Sequence, residues 1–235
     1  MTEHPDYSGD PRERVPEWTA CPSCRVASDS GAHVAIEPFD ATSHTASLWH
    51  SFGGEAINER IHWFGWPWLE WESDLARMLE GFATREGWST AAFMLEDQAV
   101  GMASFMREDA SNGVVETGAI ALSDAIARTP AATEAHYLMM RHAFGLGYRR
   151  YEWKCDAANE ASRRAALRLG FTFESVFRQH QVKHGRNRDT AWFSIIDGEW
   201  PRVDTALRRW LDPTNFDPDG RQRRRLADLR DEVAV

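Results

Sequence analysis

Three strand-like segments joined by very short connections occupy the middle of the chain. They are Ser89–Leu95, Val100–Met106 and Val114–Leu122, with turn signals at Glu96-Asp97 and Asn112-Gly113 between them. A few residues suffice to join antiparallel neighbours, whereas parallel strands need a crossover of a dozen residues or more. These segments therefore predict a three-stranded antiparallel meander, around which the remainder of the chain has to pack.

Helix-like and strand-like segments alternate on both sides of this meander. Thr129-Pro130 is a typical helix start, because a threonine hydroxyl can cap free amides and proline tolerates the first helical position. Asn159 begins the next helix and Gly170 ends it. The order β-α-α-β-β-β-α-β-α-β-β, without an internal repeat, predicts a mixed α/β sheet. The other predicted elements are a strand at 33–39, helices at 42–52 and 72–84, strands at 148–156, 171–183 and 189–196, a turn at 184–187, and one or two helices from residue 199 onward.

Composition and charge exclude several classes of protein. A chain of 235 residues with 43% hydrophobic and 27% charged residues is typical of one folded globular unit. No stretch approaches the roughly 18 apolar residues of a membrane span, and residues 1–14 lack the apolar core of a signal peptide. We therefore expect a cytoplasmic protein that binds no membrane. The net charge of −9 argues against direct binding of nucleic acid.

The two ends of the chain differ from its centre. Residues 1–31 are polar and contain four prolines, which predicts an extended arm. Residues 32–200 are the predicted domain, and residues 201–235 a helical tail. Three cysteines, an odd number, indicate a reduced compartment. Cys21 and Cys24 form a CxxC without a second pair of ligands, so we expect no metal.

The junction between the strand at 114–122 and the helix beginning at Thr129-Pro130 is a candidate anion site. A helix N-terminus presents unpaired N–H groups and a partial positive charge. A strand that leads directly into such a helix can form a pocket for a pyrophosphate. Arg128 and the Thr129 hydroxyl are candidates for additional contacts. Every helix has an N-terminus, so this signal on its own is weak.

A second junction carries a more specific pattern: Asp156, then Asn159-x-x-Ser162, a short helix, and Leu169-Gly170-Phe171. This pattern resembles the GNAT acetyltransferases, and among them the RimJ/RimL-like ribosomal-protein N-terminal acetyltransferase group. The resemblance extends over residues 32–200 through TEA at 133–135, LGYRRYEWKCD at 146–156 and GRNRDTAWFS at 185–194. It implies a GNAT-like, mostly antiparallel sheet flanked by helices, and transfer of an acetyl group from acetyl-CoA to a primary amine.

The resemblance also implies residues that hold acetyl-CoA. The family's pyrophosphate loop, Q/R-x-x-G-x-G/A, aligns with Ala127, Pro130 and Ala132, so that only the last position fits. Proline removes one donor and the close approach that glycine permits. Phosphate binding is then expected from the backbone amides of the first helical turn, with Arg128, while the neighbouring strand edge holds the cofactor arm. The expected cofactor residues are Ile120, Ala121, Leu122, Arg128, Thr129, Ala131, Ala132, Thr133, Asn159 for the pantetheine, and Arg164 for the 3′-phosphate.

In the family mechanism, the amine attacks the thioester directly within a ternary complex. Because amines have pKa values of roughly 8 to 10, a base must first remove a proton. Glu116 is the first candidate and Glu152 the second; alternatively, each is an exposed carboxylate paired with Lys154 or an arginine. Ser162 is the candidate proton donor to the leaving thiolate, or else a capping-box partner of Asn159. Cys155 lies on the apolar side of a strand, which favours core packing over a role as nucleophile.

The sequence says least about the chemical identity of the acceptor. Trp63, Trp66 and Trp68 lie in the segment IHWFGWPWLEW and form either an apolar wall for the acceptor or part of the core. The acceptor amine is expected on a protein N-terminus or a small molecule, and the acidic balance of the chain favours a cationic one. A non-catalytic acyl-CoA-binding module, or a ribosome-associated one that docks through the arm and an arginine-rich tail, is the alternative. The oligomeric state stays open, with a homodimer favoured by base rates.

Overall fold

The computed structural model describes residue 15 and residues 18–233. An eight-stranded sheet runs through the molecule in the order β1-β2-β3-β4-β5-β6-β8-β7. Neighbouring strands are antiparallel except β5 and β6. The strands are β1 Asp29–Ser30, β2 Ala35–Pro38, β3 Ser89–Leu95, β4 Gln98–Asp109, β5 Val114–Leu122, β6 Arg150–Asp156, β7 Thr172–Lys183 and β8 Arg186–Ile196.

Seven α-helices of the described part of the chain flank this sheet. They are α1 Ala41–Ser51, α2 Ile57–Ile61, α3 Glu72–Ala83, α4 Pro130–Gly145, α5 Glu160–Leu169, α6 Trp200–Leu211 and α7 Leu226–Val233. The predicted mixed α/β class and the three-stranded meander β3-β4-β5 are confirmed. The predicted element order omitted β1 and α2, because two and five residues are too few to show a period. Within the described residues, no helix is long and apolar enough to cross a membrane.

The sheet separates two hydrophobic cores. One core joins α1, α2 and α3 to the meander through residues such as Leu48, Leu75 and Met102. The other joins α4, α5, α6 and α7 to the opposite face of the sheet, from β2 to β8, through residues such as Phe93, Leu138 and Phe193. Helices therefore cover both faces, as expected for a sheet whose central pair is parallel and linked by a helical crossover.

Part of the expected N-terminal arm packs on the domain; residues 1–14, 16 and 17 lie outside the described residues. Cys24 is buried in the second core, and its amide donates to Glu108 at 2.9 Å. Further along the chain, Glu134 of α4 accepts hydrogen bonds from the amides of residues 32–34. This carboxylate ties the chain next to β2 to the helix that follows β5.

Candidate active site

The parallel pairing of β5 and β6 covers only part of each strand. It ends where Thr117 lies opposite Trp153. Beyond that point, residues 118–122 pair with β4 alone and residues 154–156 with β8 alone, among the strands of the described chain. Two strand edges therefore face each other across a wedge-shaped gap, which has room for a ligand that bonds to a strand edge.

A β-bulge bends β5 where the wedge opens. Gly118 is opposite Ser104 and Ala121 is opposite Met102, so two residues of β5 face one residue of β4. Ala119, inside the bulge, has a left-handed backbone with φ of 52°. A bulge of this kind kinks its strand and is common next to functional sites. Here the bulge turns the free edge of β5 away from β6.

A cavity of about 560 Å³ fills the wedge and continues over the sheet face that carries Glu116. At one end it reaches the wedge edge and the start of α5. At the other end it reaches the aromatic segment after α2 and the tip of the β7–β8 hairpin. Its lining includes Ile120, Ala121, Leu122, Ala127, His136, Cys155, Asn159 and Ser162 at the wedge end, and Trp63, Trp66, Arg85, Arg107, Glu116, Lys154, His180 and Lys183 at the other.

Helix α4 begins at Pro130, as predicted, but Thr129 does not cap it. Its hydroxyl instead donates to the Ile126 carbonyl at 2.7 Å, which closes the preceding turn. The amides of Ala131 and Ala132 lie in the first helical turn, too early to bond to a carbonyl one turn back. Their N–H groups can therefore serve an anion. The predicted cofactor residues Arg128, Thr129, Ala131, Ala132 and Thr133 lie just outside the cavity lining, which reaches this loop at Ala127.

Asn159 and Ser162 are brought together at the start of α5. Asn159 Oδ1 accepts from the Ser162 amide at 3.1 Å and so caps the helix. The Ser162 hydroxyl does not complete a capping box, because Oγ accepts from Trp153 Nε1 at 3.0 Å. The Ser162 hydroxyl also lies within hydrogen-bonding reach of the Cys155 thiol, and both residues line the cavity. Arg164 lies outside the lining and pairs with Glu160 at 2.9 Å on the exposed face of the helix.

Cys155 lines the same region and is a free thiol at 5% exposure. Burial raises the pKa of this thiol. A thiol with a raised pKa carries little thiolate at neutral pH and is a poor nucleophile. The geometry thus agrees with the expectation of core packing for Cys155.

Glu116 is buried rather than exposed, and it is paired with two cations. Its carboxylate contacts Lys154 Nζ, and Arg107 Nε lies 3.4 Å from Oε2. Burial raises the pKa of the Glu116 carboxyl, and the two neighbouring cations oppose that rise. Burial likewise lowers the pKa of the Lys154 ammonium. A desolvated carboxylate whose pKa lies above its ordinary value is a suitable general base near neutral pH.

The second candidate base, Glu152, is engaged elsewhere. It lies opposite Glu116 in the β5–β6 register and shares its face of the sheet. Its carboxylate accepts from Arg150 Nε at 2.7 Å, and Arg150 also forms a forked pair with Glu174. Glu152 does not line the cavity. Of the two carboxylates, only Glu116 lines the cavity.

The aromatic segment forms one wall of the cavity, but its third predicted tryptophan does not contribute. Trp63 and Trp66 line the cavity, and Trp66 packs against Phe82 with ring centroids 4.9 Å apart. Trp68 is 69% exposed and points away. The amide and carbonyl of Leu69 are held by Asn58, which turns Leu69 inward. Trp68 precedes this buried leucine and faces solvent.

The opposite wall comes from the β7–β8 hairpin, whose residues were not predicted to belong to the site. His180 Nδ1 lies 2.9 Å from Thr190 Oγ1, and both residues line the cavity. The Lys183 side chain packs against Gly65, where any added side chain would collide with it. The hairpin therefore meets the aromatic segment and closes the outer rim. No sequence signal marks these residues, because their position depends on how the hairpin folds over the sheet.

The charge of the lining has the opposite sign to that of the chain. Six lysine and arginine side chains face three carboxylates, whereas the whole chain carries −9. A cationic lining disfavours the expectation of a cationic acceptor, which rested on net charge alone. It suits ligands with anionic groups.

Comparisons with known proteins agree with this geometry. The model of the acetyltransferase (GNAT) domain matches residues 34–172. A GCN5-related N-acetyltransferase from Brucella melitensis is 40% identical, with a TM-score of 0.88 over 92% of this chain and 100% of that one. A GNAT-family protein from Chromobacterium violaceum is 35% identical, with a TM-score of 0.75 over 81% of this chain and 96% of that one.

Looser similarity extends to RimL, the ribosomal L7/L12 α-N-protein acetyltransferase, in complex with coenzyme A. It is 18% identical, with a TM-score of 0.59 over 76% of this chain and 99% of RimL, which shows a shared fold. No protein of curated function has significant sequence similarity to this chain. The wedge, the uncapped α4 and the match over most of the domain lead to one conclusion: the chain belongs to the GNAT acetyltransferase family and is an acyltransferase.

Proposed function

We propose that this protein transfers an acetyl group from acetyl-CoA to a primary amine, by direct attack of the amine on the thioester in a ternary complex. One observation carries the proposal. A single cavity joins the wedge between β5 and β6 to a chamber floored by the buried carboxylate of Glu116. A cofactor that enters at the wedge end and an amine that enters at the chamber end would meet beside Glu116.

The residues at the wedge end suit acetyl-CoA. The free edge of residues 118–122 offers backbone groups to the amides of a pantetheine arm, and Asn159 lies across the gap from it. The uncapped amides of Ala131 and Ala132 and the partial charge of the α4 dipole suit a diphosphate. Proline at the first helical position removes one first-turn amide, and the amides of Ala131 and Ala132 remain as donors to the diphosphate.

The chemical step needs a base, a stabilised oxyanion and an acid. Glu116 accepts a proton from the ammonium, and the amine attacks the carbonyl carbon. Amides of the free β5 edge stabilise the negative oxygen of the tetrahedral intermediate. The nitrogen of the intermediate then loses its second proton to water, and Glu116 returns its own proton to solvent. As the intermediate collapses, the C–S bond breaks and the new C–N bond remains. Ser162, oriented by Trp153, donates its hydrogen to the leaving thiolate and regains a proton from solvent.

The test is an assay of free thiol release from acetyl-CoA with a panel of acceptors: small primary amines and short peptides with a free N-terminus. We expect release with at least one acceptor, accompanied by a product 42 Da heavier than the acceptor, the mass added when an acetyl group replaces a proton. Glu116→Gln should lower turnover about 100-fold near neutral pH while acetyl-CoA binding is retained. Its rate should recover at high pH, as the free amine becomes abundant without a base.

Glu72→Gln is the matched control, because Glu72 is an exposed glutamate at the start of α3, remote from the cavity. Tight binding of acetyl-CoA without release on any acceptor would contradict the proposal. A pH profile that is the same for Glu116→Gln and for the unaltered protein would remove Glu116 from the role of base and leave the transfer itself intact.

A further inference from the structure

We propose that the chamber end of the cavity binds the anionic group, a carboxylate or a phosphate, of an acceptor that carries it near the reactive amine. This inference rests on the proposed function and specifies its substrate class. The anion site is formed by Arg85 and Arg107, with Lys183 at the rim. All three lie in the cavity lining; Arg85 comes from the connection between α3 and β3, Arg107 from β4 and Lys183 from β7.

The pairing of charges in the chamber leaves positive charge unbalanced. Arg107 and Lys154 share a single carboxylate, that of Glu116. By contrast, the cations nearer the wedge have carboxylates of their own, since Arg60 pairs with Asp124 and Arg188 lies 3.8 Å from Asp156. No carboxylate among the described residues pairs with Arg85 or Lys183. An anionic ligand would supply the missing charge.

Arg107 is held in an unusual conformation beside Glu116. Its φ is 51°, a left-handed backbone that costs a non-glycine residue on the order of 1 kcal/mol, at a register shift between β4 and β5. The Nε atom faces Glu116, and the side chain is 58% exposed. A guanidinium has five N–H donors in a planar fork. The terminal donors of Arg107 therefore remain available to a carboxylate or phosphate in the chamber.

Arg85 is positioned by aromatic rings instead of by a carboxylate. Its guanidinium lies 4.9 Å from the Trp88 ring centroid and 5.4 Å from that of Phe82. Stacking on a ring restrains the plane of a guanidinium while its edge donors stay free. This arrangement is suited to forked binding of an anion, because less rotamer freedom is lost when the ligand binds.

The phosphates of acetyl-CoA could also attract these cations, but their position argues for the acceptor. Met106, the neighbour of Arg107, lies opposite Glu116. Glu116 in turn precedes Leu122, at the wedge end of β5, by six residues. At about 3.3 Å per residue this corresponds to at most about 20 Å along the strand, because the bulge at Ala119 shortens it. The α4 amides that suit the diphosphate lie beyond that end. A pantetheine arm separates the two regions, so the chamber cations are left to the second substrate.

The experiment compares pairs of anionic and uncharged-side-chain acceptors in acetyl-CoA-dependent thiol release. One pair is two dipeptide amides with alanine first and aspartate or asparagine second; the other is phosphoethanolamine and ethanolamine. We expect the unaltered protein to prefer the anionic member of at least one pair in kcat/KM by about tenfold, as for hydrogen bonds to a charged group. Arg85→Gln and Arg107→Gln should abolish that preference by raising KM for the anionic acceptor. The affinity for acetyl-CoA should be unchanged.

Arg77→Gln is the matched control: Arg77 lies on α3, 75% exposed and outside the cavity, and the preference should survive. Equal rates within both pairs would overturn the inference. So would variants that bind acetyl-CoA more weakly yet keep the preference, since the cations would then serve the cofactor. Calorimetry with the same four compounds separates this inference from the proposed function. An anionic compound that binds without thiol release supports the anion site and counts against transfer to that amine.

Discussion

His136 is a buried imidazole on α4 that lines the cavity between Phe93 and Trp153, with ring centroids at 6.0 and 5.4 Å. Burial, with a smaller contribution from Arg168, lowers the pKa of His136 to about 4. The native protein therefore holds this ring neutral at pH values where an unfolded chain protonates it. The neutral ring can pack against aromatic neighbours without the cost of a buried charge.

The lowered pKa of His136 makes the folded protein less stable as the pH falls. Because the folded pKa lies below the unfolded value of about 6.5, the contribution of His136 to stability is present above pH 6.5 and is lost as the pH falls toward 4. The full loss corresponds to about 3 kcal/mol in the free energy of unfolding. In urea unfolding at pH 7.5 and pH 4.5, we expect His136→Gln to lose less stability between the two values than the unaltered protein.

His50→Gln is the control, since His50 is exposed on α1. The comparison between variants cancels the opposite contribution of Glu116, whose raised pKa favours the folded state as the pH falls. An identical loss of stability in His136→Gln and in the unaltered protein would show that His136 does not titrate within this window.

At the level of elements, the loop between β5 and α4 can be tested separately from the fold. Arg128 lies in this loop with φ of 65°, a backbone conformation that glycine adopts without cost. Arg128→Gly should leave the free energy of unfolding unchanged or raise it by about 1 kcal/mol. If the guanidinium contacts the diphosphate, the same change weakens acetyl-CoA binding several-fold, as measured by calorimetry.

Glu96→Gly is a matched change for Arg128→Gly. Glu96 also has a left-handed backbone, with φ of 52°, but lies in the β3–β4 turn away from the cavity. Glu96→Gly should remove a similar amount of backbone strain without altering the affinity for acetyl-CoA. Equal affinity in both variants would exclude Arg128 as a phosphate ligand.

Local patterns predicted the regular elements well and the site only in part. The bounds of β3 and β5 were predicted correctly, because turn residues limit both strands. Strand β4 is longer at both ends than predicted, since its last residues alternate in burial beyond the apolar run. The wedge could not be predicted, because the end of a parallel pairing depends on the bulge at Ala119 and on α4 packing, not on either strand alone.

The same limit applies to side chains of the site. Glu116 was singled out by its place on a strand within a family pattern. Arg85, Arg107 and His180 come from three segments that are distant in sequence, and only the closed rim brings them together. Trp68 was assigned to the wall because it lies in the aromatic segment, whereas in the structure Asn58 holds the backbone of the buried Leu69 and the adjacent Trp68 is exposed.

At the scale of the whole molecule, the C-terminal segment is part of the core. Leu226 and Leu229 of α7 are each 3% exposed. Arg230 NH1 donates to the carbonyls of Leu167 and Arg168 at 2.9 and 3.0 Å, which satisfies the end of α5. The tail thus supports the helix that begins with the Asn159 cap, while the expected docking role remains a prediction for its exposed arginines.

We expect Leu229→Ala to lower the free energy of unfolding by about 2–4 kcal/mol, because it leaves a cavity in the core. Leu167→Ala removes the same atoms from a leucine that is 47% exposed, and should change stability by about 0.5 kcal/mol or less. Urea denaturation of both variants measures the difference. Equal and small effects would show that α7 is only loosely attached.

The short pairing between β5 and β6 makes the sheet two panels joined by four residue pairs. A ligand that forms hydrogen bonds to both free edges would link the two panels. Its bonds would take the place of those that β5 and β6 do not form with each other beyond Thr117 and Trp153. Ligand that binds only the folded form adds stability as RT ln(1 + [L]/Kd). Folding and ligand binding in the wedge are therefore thermodynamically linked. The free energy of unfolding of this protein should rise with the concentration of the ligand.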